Sequence, residues 1–179
     1  MTAGLYTKTL QWNVVRGLTN KLDLDLENKM LEEEKKEFWD DYFKYQVTTG
    51  IGKIDALTGM VDAMCDFMFV AIGTDVKSAM NVVSKEQKVI LTSIKDDAQK
   101  QIGLMGSLLI NEIGNIFDVG TYYEMVVDAN DAKPNKQDTE GKNEKGGEWE
   151  DPKHKIKAHL LTLPSVKLIA GITEEPSKA

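Results

Sequence analysis

Hydrophobic residues recur along the chain with the three- and four-residue spacing of helices. Leu10, Val14 and Leu18 form one such stripe, which predicts a first helix at about residues 5–18. We find no segment with the strict hydrophobic–polar alternation of β-strands, and no repeat of solenoid length. All four prolines follow residue 133. Because proline interrupts helices, the long stretch before it favours an all-α fold, a helical bundle with a four- to five-helix core.

The same criteria predict five further helices. Glycine often caps the C-terminus of a helix and aspartate the N-terminus, so Gly73 is expected to end the third helix and Asp75 to begin a fourth. Ser84 and Gln87 have the spacing of a capping box and are expected to begin the fifth, which should break around Gly103 and Gly106. The predicted spans are about residues 24–45, 53–72, 76–83, 84–117 and 119–131.

A change of composition divides the chain. Residues 134–152 are rich in Lys, Asn, Glu, Gly and Asp, which predicts a polar loop or lid. Residues 153–179 regain apolar character and are expected to form a tail that packs on the bundle. Residues 1–133 would then be the folded domain. An apolar content of 41% and a charged content of 28% are ordinary for a globular protein.

Charge and cysteine content narrow the classes of function. A net charge of -7 argues against a nucleic-acid-binding surface, which would need clustered positive charge. A single cysteine, Cys65, excludes an intrachain disulfide and fits a reducing cytoplasm. The N-terminus lacks the pattern of a signal peptide, and the longest apolar run, residues 60–72, contains two aspartates. We expect a soluble cytoplasmic protein with no membrane or nucleic-acid partner.

The second predicted helix carries glutamates beside its buried face. Met30 and Phe38 mark that face, and helical spacing places Glu34 and Glu37 on rows next to it. Glu33, four residues before Glu37, flanks the same region. Glutamates in such a run are usually solvated surface, so this helix alone does not indicate a site.

The third predicted helix is more informative. Asp62 and Asp66 are its only charged residues between Gly59 and Gly73, and they lie four residues apart on one face. A helix that is apolar nearly all round is buried, and two buried carboxylates repel each other unless a cation compensates them. Both histidines come after residue 153, which disfavours zinc. Clustered carboxylate oxygens suit Mg²⁺ or Mn²⁺.

Two other interpretations stay open. Asp62 and Asp66 could instead pair with lysines or form hydrogen bonds to helix termini. The protein would then be a non-enzymatic helical scaffold or interaction protein, in which the acidic stripes only set the charge. A di-iron carboxylate bundle would require Glu-x-x-His pairs. No histidine precedes His154, so this second alternative is disfavoured.

At these acids the sequence resembles the MazG-like all-α nucleoside triphosphate pyrophosphohydrolases, whose pattern is EExxE followed by ExxD. Residues 33–37 match the first half, and Asp66 matches the terminal aspartate. The chain departs from the pattern at Ala63, and the nearest acid is Asp62, one residue earlier. A D-x-x-x-D segment that ends in Gly-Thr, here residues 62–74, is similar to the phage-type branch. So are the segments 13–18 and 130–133, the latter an N-x-x-K element.

The resemblance implies a homodimer or homotetramer that hydrolyses a (deoxy)nucleoside triphosphate to the monophosphate and pyrophosphate. In a phage-encoded enzyme this would adjust the nucleotide pool of the host cytoplasm. Glu34, Glu37 and Asp66, supported by Asp62, would hold Mg²⁺ or Mn²⁺, and Glu33 or Glu37 would accept the proton of the attacking water. The substrate stays open among dUTP, dCTP, a guanine nucleotide (as in the MazZ branch) and a damaged nucleotide.

Further residues are candidates for substrate binding. Arg16, the only arginine, suits phosphate or base recognition, with a helix-end surface position as the alternative. Lys133 would bind the β- and γ-phosphates, or would simply be a cation at a helix C-terminus. Trp12 would stack on a base, or would belong to the core. Asn13 and Asn130 complete the predicted set through the resemblance.

Overall fold

The computed structural model describes residues 3–134 and 149–171, which contain seven α-helices and no β-strand. The all-α prediction is therefore confirmed for this part of the chain. The helices are α1 (Ala3–Val15), α2 (Leu24–Val47), α3 (Gly50–Met80), α4 (Lys85–Ile113), α5 (Val119–Asp131), α6 (Lys153–Leu160) and α7 (Pro164–Ala170).

Helix α3 is the centre of the fold. It contacts every other helix, and each of its residues from Ala56 to Cys65 is buried. This burial explains why the helix is apolar on nearly all sides. Its length and hydropathy also match those of a membrane span, but 78% of its most apolar window is buried inside the protein. Core helices and membrane spans share this composition, so it does not distinguish between them.

Helices α2 and α3 form an antiparallel pair joined by a two-residue turn. The buried residues of α2 recur every three, four or seven positions and lie against α3. Asp23 caps the N-terminus of α2, because its carboxylate accepts hydrogen bonds from the backbone of residues 25 and 26. The two helices approach closely at Gly59, where a Cβ atom would collide with the carboxylate of Asp41.

The prediction that Gly73 ends the third helix is wrong. Helix α3 continues to Met80, and the predicted short fourth helix is its last part. Thr74 and Lys77 both donate to the buried carboxylate of Glu27 on α2, which holds this last part in place. Asp75 pairs with Lys95 of α4 and does not cap a helix.

The other helix boundaries are partly as predicted. Ser84 and Gln87 form the expected capping box, and α5 spans the predicted residues. The break predicted in α4 does not occur. At Gly106 a Cβ atom would lie 3.4 Å from Met64 Cε, so this glycine allows α4 to pack closely on α3. Helix α1 stops at Val15, before the expected end at residue 18.

The C-terminal helices lie on the bundle. Both α6 and α7 contact α3, and Ile156, Leu160 and Val166 are fully buried. These contacts bring residues 149–153 next to the acidic part of α3. Residues 135–148, which make up most of the predicted loop or lid, lie outside the described residues, as do residues 172–179.

Candidate functional site

A cavity of about 630 Å³ opens between α1, α2, α3, α5 and the segment that leads into α6. Eight of the residues predicted from sequence line it, although they come from four separate helices and the residues just after α5. They are Trp12, Asn13, Glu34, Glu37, Asp62, Asp66, Asn130 and Lys133. The remaining two, Arg16 and Glu33, do not belong to the lining.

Glu34 and Glu37 reach the cavity from α2, together with Met30 of the same helix face. This placement follows from the three- and four-residue spacing of these positions. Glu33 lies one residue off this face, where its carboxylate pairs with Lys29 at 3.9 Å. The structure thus brings two of the three predicted glutamates together with the aspartates of α3.

The two aspartates of α3 have perturbed acidities. Burial raises the pKa of Asp62 to about 7, and the negative charge of Asp66 adds to the shift. Burial likewise raises the pKa of Asp66, while the positive charge of Lys133 and a hydrogen bond from Asn130 oppose the rise. Carboxyl groups with a pKa raised in this way are typical of functional sites.

Neighbouring groups compensate these carboxylates only in part. Lys153 Nζ lies 3.5 Å from Asp62 Oδ2. The other oxygen of Asp62 is buried, and no donor in the described part of the chain bonds to it. Asn130 donates to Asp66 through Nδ2, at 3.5 Å from Oδ1. One oxygen of Asp62 is therefore paired with a lysine, as one of the alternative interpretations of the sequence predicted.

The donor set suits a hard divalent cation, although it is not preassembled around one point. Within residues 3–134 and 149–171, no three side chains of His, Cys, Asp or Glu are grouped closely enough to hold a metal ion. However, four predicted acids line one cavity, and Asp62 Oδ1 is a buried acceptor without a donor. Carboxylate oxygens are the ligands that Mg²⁺ and Mn²⁺ prefer. The chemistry of these side chains fits such an ion, although their spacing in this structure does not form a metal site.

Arg16 fixes the C-terminal end of α5. Its guanidinium Nη2 donates to the backbone carbonyls of Asn130, Asp131 and Lys133 at 3.0–3.2 Å. It also lies over the Trp12 ring, 4.5 Å from the ring centroid. Arg16 therefore positions the turn that presents Asn130 and Lys133, and its side chain is only 7% exposed.

Trp12 forms part of the cavity wall. Its Nε1 donates to the carbonyl of Asn130 at 3.2 Å, and its ring makes an edge contact with Phe69. With Arg16 over the ring, the indole is held in one orientation. Trp12 is thus a core residue that also lines the cavity, and stacking on a base stays a prediction.

The lining near Trp12 includes apolar side chains and the buried polar side chain of Asn13. Leu22, Leu26 and Val70 contribute to this part of the lining. Asn13 is 1% exposed, and its Nδ2 donates to the carbonyl of Thr9 at 2.9 Å. Its Oδ1 has no hydrogen-bond partner within residues 3–134 and 149–171. This atom is an acceptor available to a donor on a ligand.

Several lining residues were not anticipated from the sequence. Asp151 and Trp149 come from the segment before α6, Lys153 is the first residue of α6, and Glu27 and Lys77 come from the far end of the α2–α3 pair. Helical spacing does place Glu27 on the row of Glu34 and Glu37, and Lys77 on the row of Asp66, whereas no spacing rule connects residues 149–153 with these acids. The closest signal was the lysine-rich run at residues 153–157, which directly follows the polar segment.

The described structure thus joins an acidic region, flanked by lysines, to an apolar region with a buried acceptor. Comparison of the chain with models of protein families, with curated proteins and with solved structures finds no match.

Proposed function

We propose that the cavity binds a (deoxy)nucleoside triphosphate and hydrolyses it, with Mg²⁺ or Mn²⁺, to the nucleoside monophosphate and pyrophosphate. One observation carries the proposal: Glu34 and Glu37 of α2 line the same cavity as Asp62 and Asp66 of α3. The volume of about 630 Å³ is typical of sites for ligands of nucleotide size.

The two regions of the cavity suit the two parts of such a substrate. The acidic region, with a divalent cation and the ammonium group of Lys133, suits a polyphosphate. The apolar region beside Trp12 and Phe69 suits a nucleoside, and Asn13 Oδ1 would accept a hydrogen bond from its base or sugar. A substrate with an N–H or O–H donor at that position would satisfy an atom that is otherwise buried without a partner.

The reaction requires a water molecule to attack the α-phosphorus in line with the leaving pyrophosphate. A bond forms between the water oxygen and this phosphorus, and the bond to the bridging oxygen of the β-phosphate breaks. Glu37 accepts the proton of the water, because it lines the cavity whereas Glu33 is paired with Lys29. Asn130 and Lys133 hold the departing phosphates.

The carboxylates of Glu34, Asp62 and Asp66, together with Glu37, would hold the divalent cation. When bound, this ion neutralises phosphate charge and acidifies the attacking water. Arg16 keeps the end of α5 in place, so that the groups on α5 and α3 stay at a fixed distance. The finer parts of the proposal, a dimer or tetramer that adjusts a nucleotide pool in a host cytoplasm, rest on the resemblance alone.

The proposal is tested by measuring pyrophosphate release from a panel of deoxynucleoside and ribonucleoside triphosphates, with Mg²⁺ and with Mn²⁺. Glu37→Gln and Asp66→Asn should each lose turnover while remaining folded. Matched controls are Glu32→Gln on α2, where Lys35 donates to Glu32, and Asp55→Asn on α3, where Lys157 pairs with Asp55. Both controls should retain full activity. Silence of the wild type across the panel would favour the non-enzymatic scaffold.

A further inference from the structure

Lys153 occupies a defined place beside the acidic region. It is the first residue of α6, and its backbone N–H donates to the carboxylate of Asp151 at 2.9 Å. Ile156 and Leu160 anchor the same helix in the core. The backbone of Lys153 is therefore fixed, while its side chain, 43% exposed, keeps the freedom of its long stem.

The ammonium group of Lys153 interacts with carboxylates from three parts of the chain. Asp62 of α3 is the nearest, and Asp151, Glu37 and Asp41 also attract it. Burial lowers the pKa of Lys153, but these four carboxylates raise it more, so the net shift is upward. The ammonium group of Lys153 is thus the cation that pairs with Asp62 and that also attracts two acids of α2.

Lys153 compensates the charge of Asp62 incompletely. Its contact reaches Oδ2 of Asp62, while Oδ1 of the same carboxylate, in a residue that is 6% exposed, stays without a partner in the described structure. A divalent cation brings twice the charge and accepts several oxygens at once. A cation held by Asp62 and Glu37 would repel the ammonium group from the position that it now occupies.

We propose that Lys153 is a built-in counter-ion, which holds the place of the divalent cation in the metal-free protein and moves to the polyphosphate when that cation binds. This inference rests on the proposed function, since it assumes the same cation and the same substrate. It gives the first residue of α6 a role in substrate binding, with Lys153 and Lys133 both serving as phosphate ligands.

The test is a calorimetric titration of the protein with Mn²⁺ in the absence of nucleotide. Lys153→Met removes the competing charge, so it should bind Mn²⁺ roughly fivefold more tightly than the wild type, the range expected for a partly exposed ion pair. With saturating Mg²⁺, the same variant should bind a non-hydrolysable triphosphate more weakly, because a phosphate ligand is lost. Lys153→Gln is a second neutral variant and should behave in the same way.

Lys155→Met is the matched control. Lys155 lies two residues further on α6, is exposed, and contacts Glu150 at 4.0 Å. It should leave both affinities unchanged, which separates the effect of Lys153 from a general change in net charge. Equal Mn²⁺ affinity in the wild type and in both Lys153 variants would overturn this inference and leave the proposed function standing. Failure of every protein to bind Mn²⁺ would overturn both.

Discussion

Asn130 on α5 donates its side-chain amide to Asp66 on α3, with 3.5 Å between Nδ2 and Oδ1. The other end of the same amide accepts a hydrogen bond from Lys133 Nζ at 2.5 Å. Asn130 therefore orients a carboxylate and a cation at the same time. The backbone of Asn130 is held separately, because its carbonyl accepts from Trp12 and Arg16.

Replacement of Asn130 by alanine should impair the site without unfolding the protein. Loss of a residue that orients a metal ligand typically costs about 10- to 100-fold in activity or metal affinity. We expect a decrease of this size in kcat/KM for pyrophosphate release, and a small change in melting temperature because the backbone contacts persist. Asn28→Ala, at an exposed position of α2, is the control and should behave like the wild type. Full activity of Asn130→Ala would show that the contact with Asp66 is incidental.

Asn13 should affect recognition of the nucleoside. Its Oδ1 is a buried acceptor, and a hydrogen bond to a ligand contributes about 1 kcal/mol. Asn13→Ala should therefore raise KM for the preferred nucleotide about fivefold and narrow the differences in kcat/KM among the nucleotides of the panel. Steady-state kinetics with the full panel checks this expectation. If the ranking of the nucleotides by kcat/KM and the differences among them did not change, the base and sugar would not contact Asn13.

Asp62 should make the metal-free protein less stable as pH rises. Its pKa is raised from 3.8 to about 7, so the native state binds this proton more tightly than the unfolded state does. Between these two values the free energy of unfolding falls with increasing pH, by at most about 1.4 kcal/mol per pH unit for one proton. Melting curves in EDTA at several pH values should show this decrease.

Asp62→Asn is the control for the pH effect. In this variant the free energy of unfolding should fall less between pH 4 and 7. The variant should therefore be more stable than the wild type at pH 8 in EDTA. Addition of Mg²⁺ at pH 8 should stabilise the wild type more than the variant. Parallel pH profiles of the two proteins would contradict the assignment of the effect to this carboxyl group.

Two glycines in helix interiors should respond in opposite ways to alanine. At Gly59 a Cβ atom would collide with Asp41, so Gly59→Ala should destabilise the α2–α3 pair by about 1–3 kcal/mol. At Gly103 on α4 no atom lies within 4 Å of the new Cβ, so Gly103→Ala should stabilise the protein by up to about 1 kcal/mol. Chemical denaturation measures both. Equal effects at the two positions would show that α2 and α3 are less closely packed.

The helices that local signals define were predictable from the sequence. Ser84 with Gln87 begins α4, and the bounds of α5 follow from periodicity. The predicted helix end at Gly73 is wrong because the helical conformation of this residue depends on tertiary contacts, which no local sequence pattern contains. Thr74 and Lys77 bond to Glu27 on another helix, and these tertiary hydrogen bonds extend α3 beyond a glycine that would otherwise suit a C-cap.

The acids of the candidate site were predictable for a related reason. An i, i+4 pair of aspartates in an apolar helix is unusual, and helical geometry alone places both on one face. Lys153 was missed because its proximity to Asp62 depends on how α6 packs against α3, through Ile156 and Leu160. The sequence left Arg16 open between substrate recognition and a surface position at a helix end, and it contained no signal for the hydrogen bonds that Nη2 donates to the carbonyls at the end of α5.

The most direct measurement is the identification of products by ³¹P NMR after incubation of a preferred triphosphate with the protein and Mg²⁺. The wild type should yield nucleoside monophosphate and pyrophosphate in equal amounts, and Asp66→Asn should yield neither. Release of a diphosphate and inorganic phosphate would contradict attack at the α-phosphorus, and equal turnover by the wild type and Asp66→Asn would contradict a site built from the acids of α2 and α3.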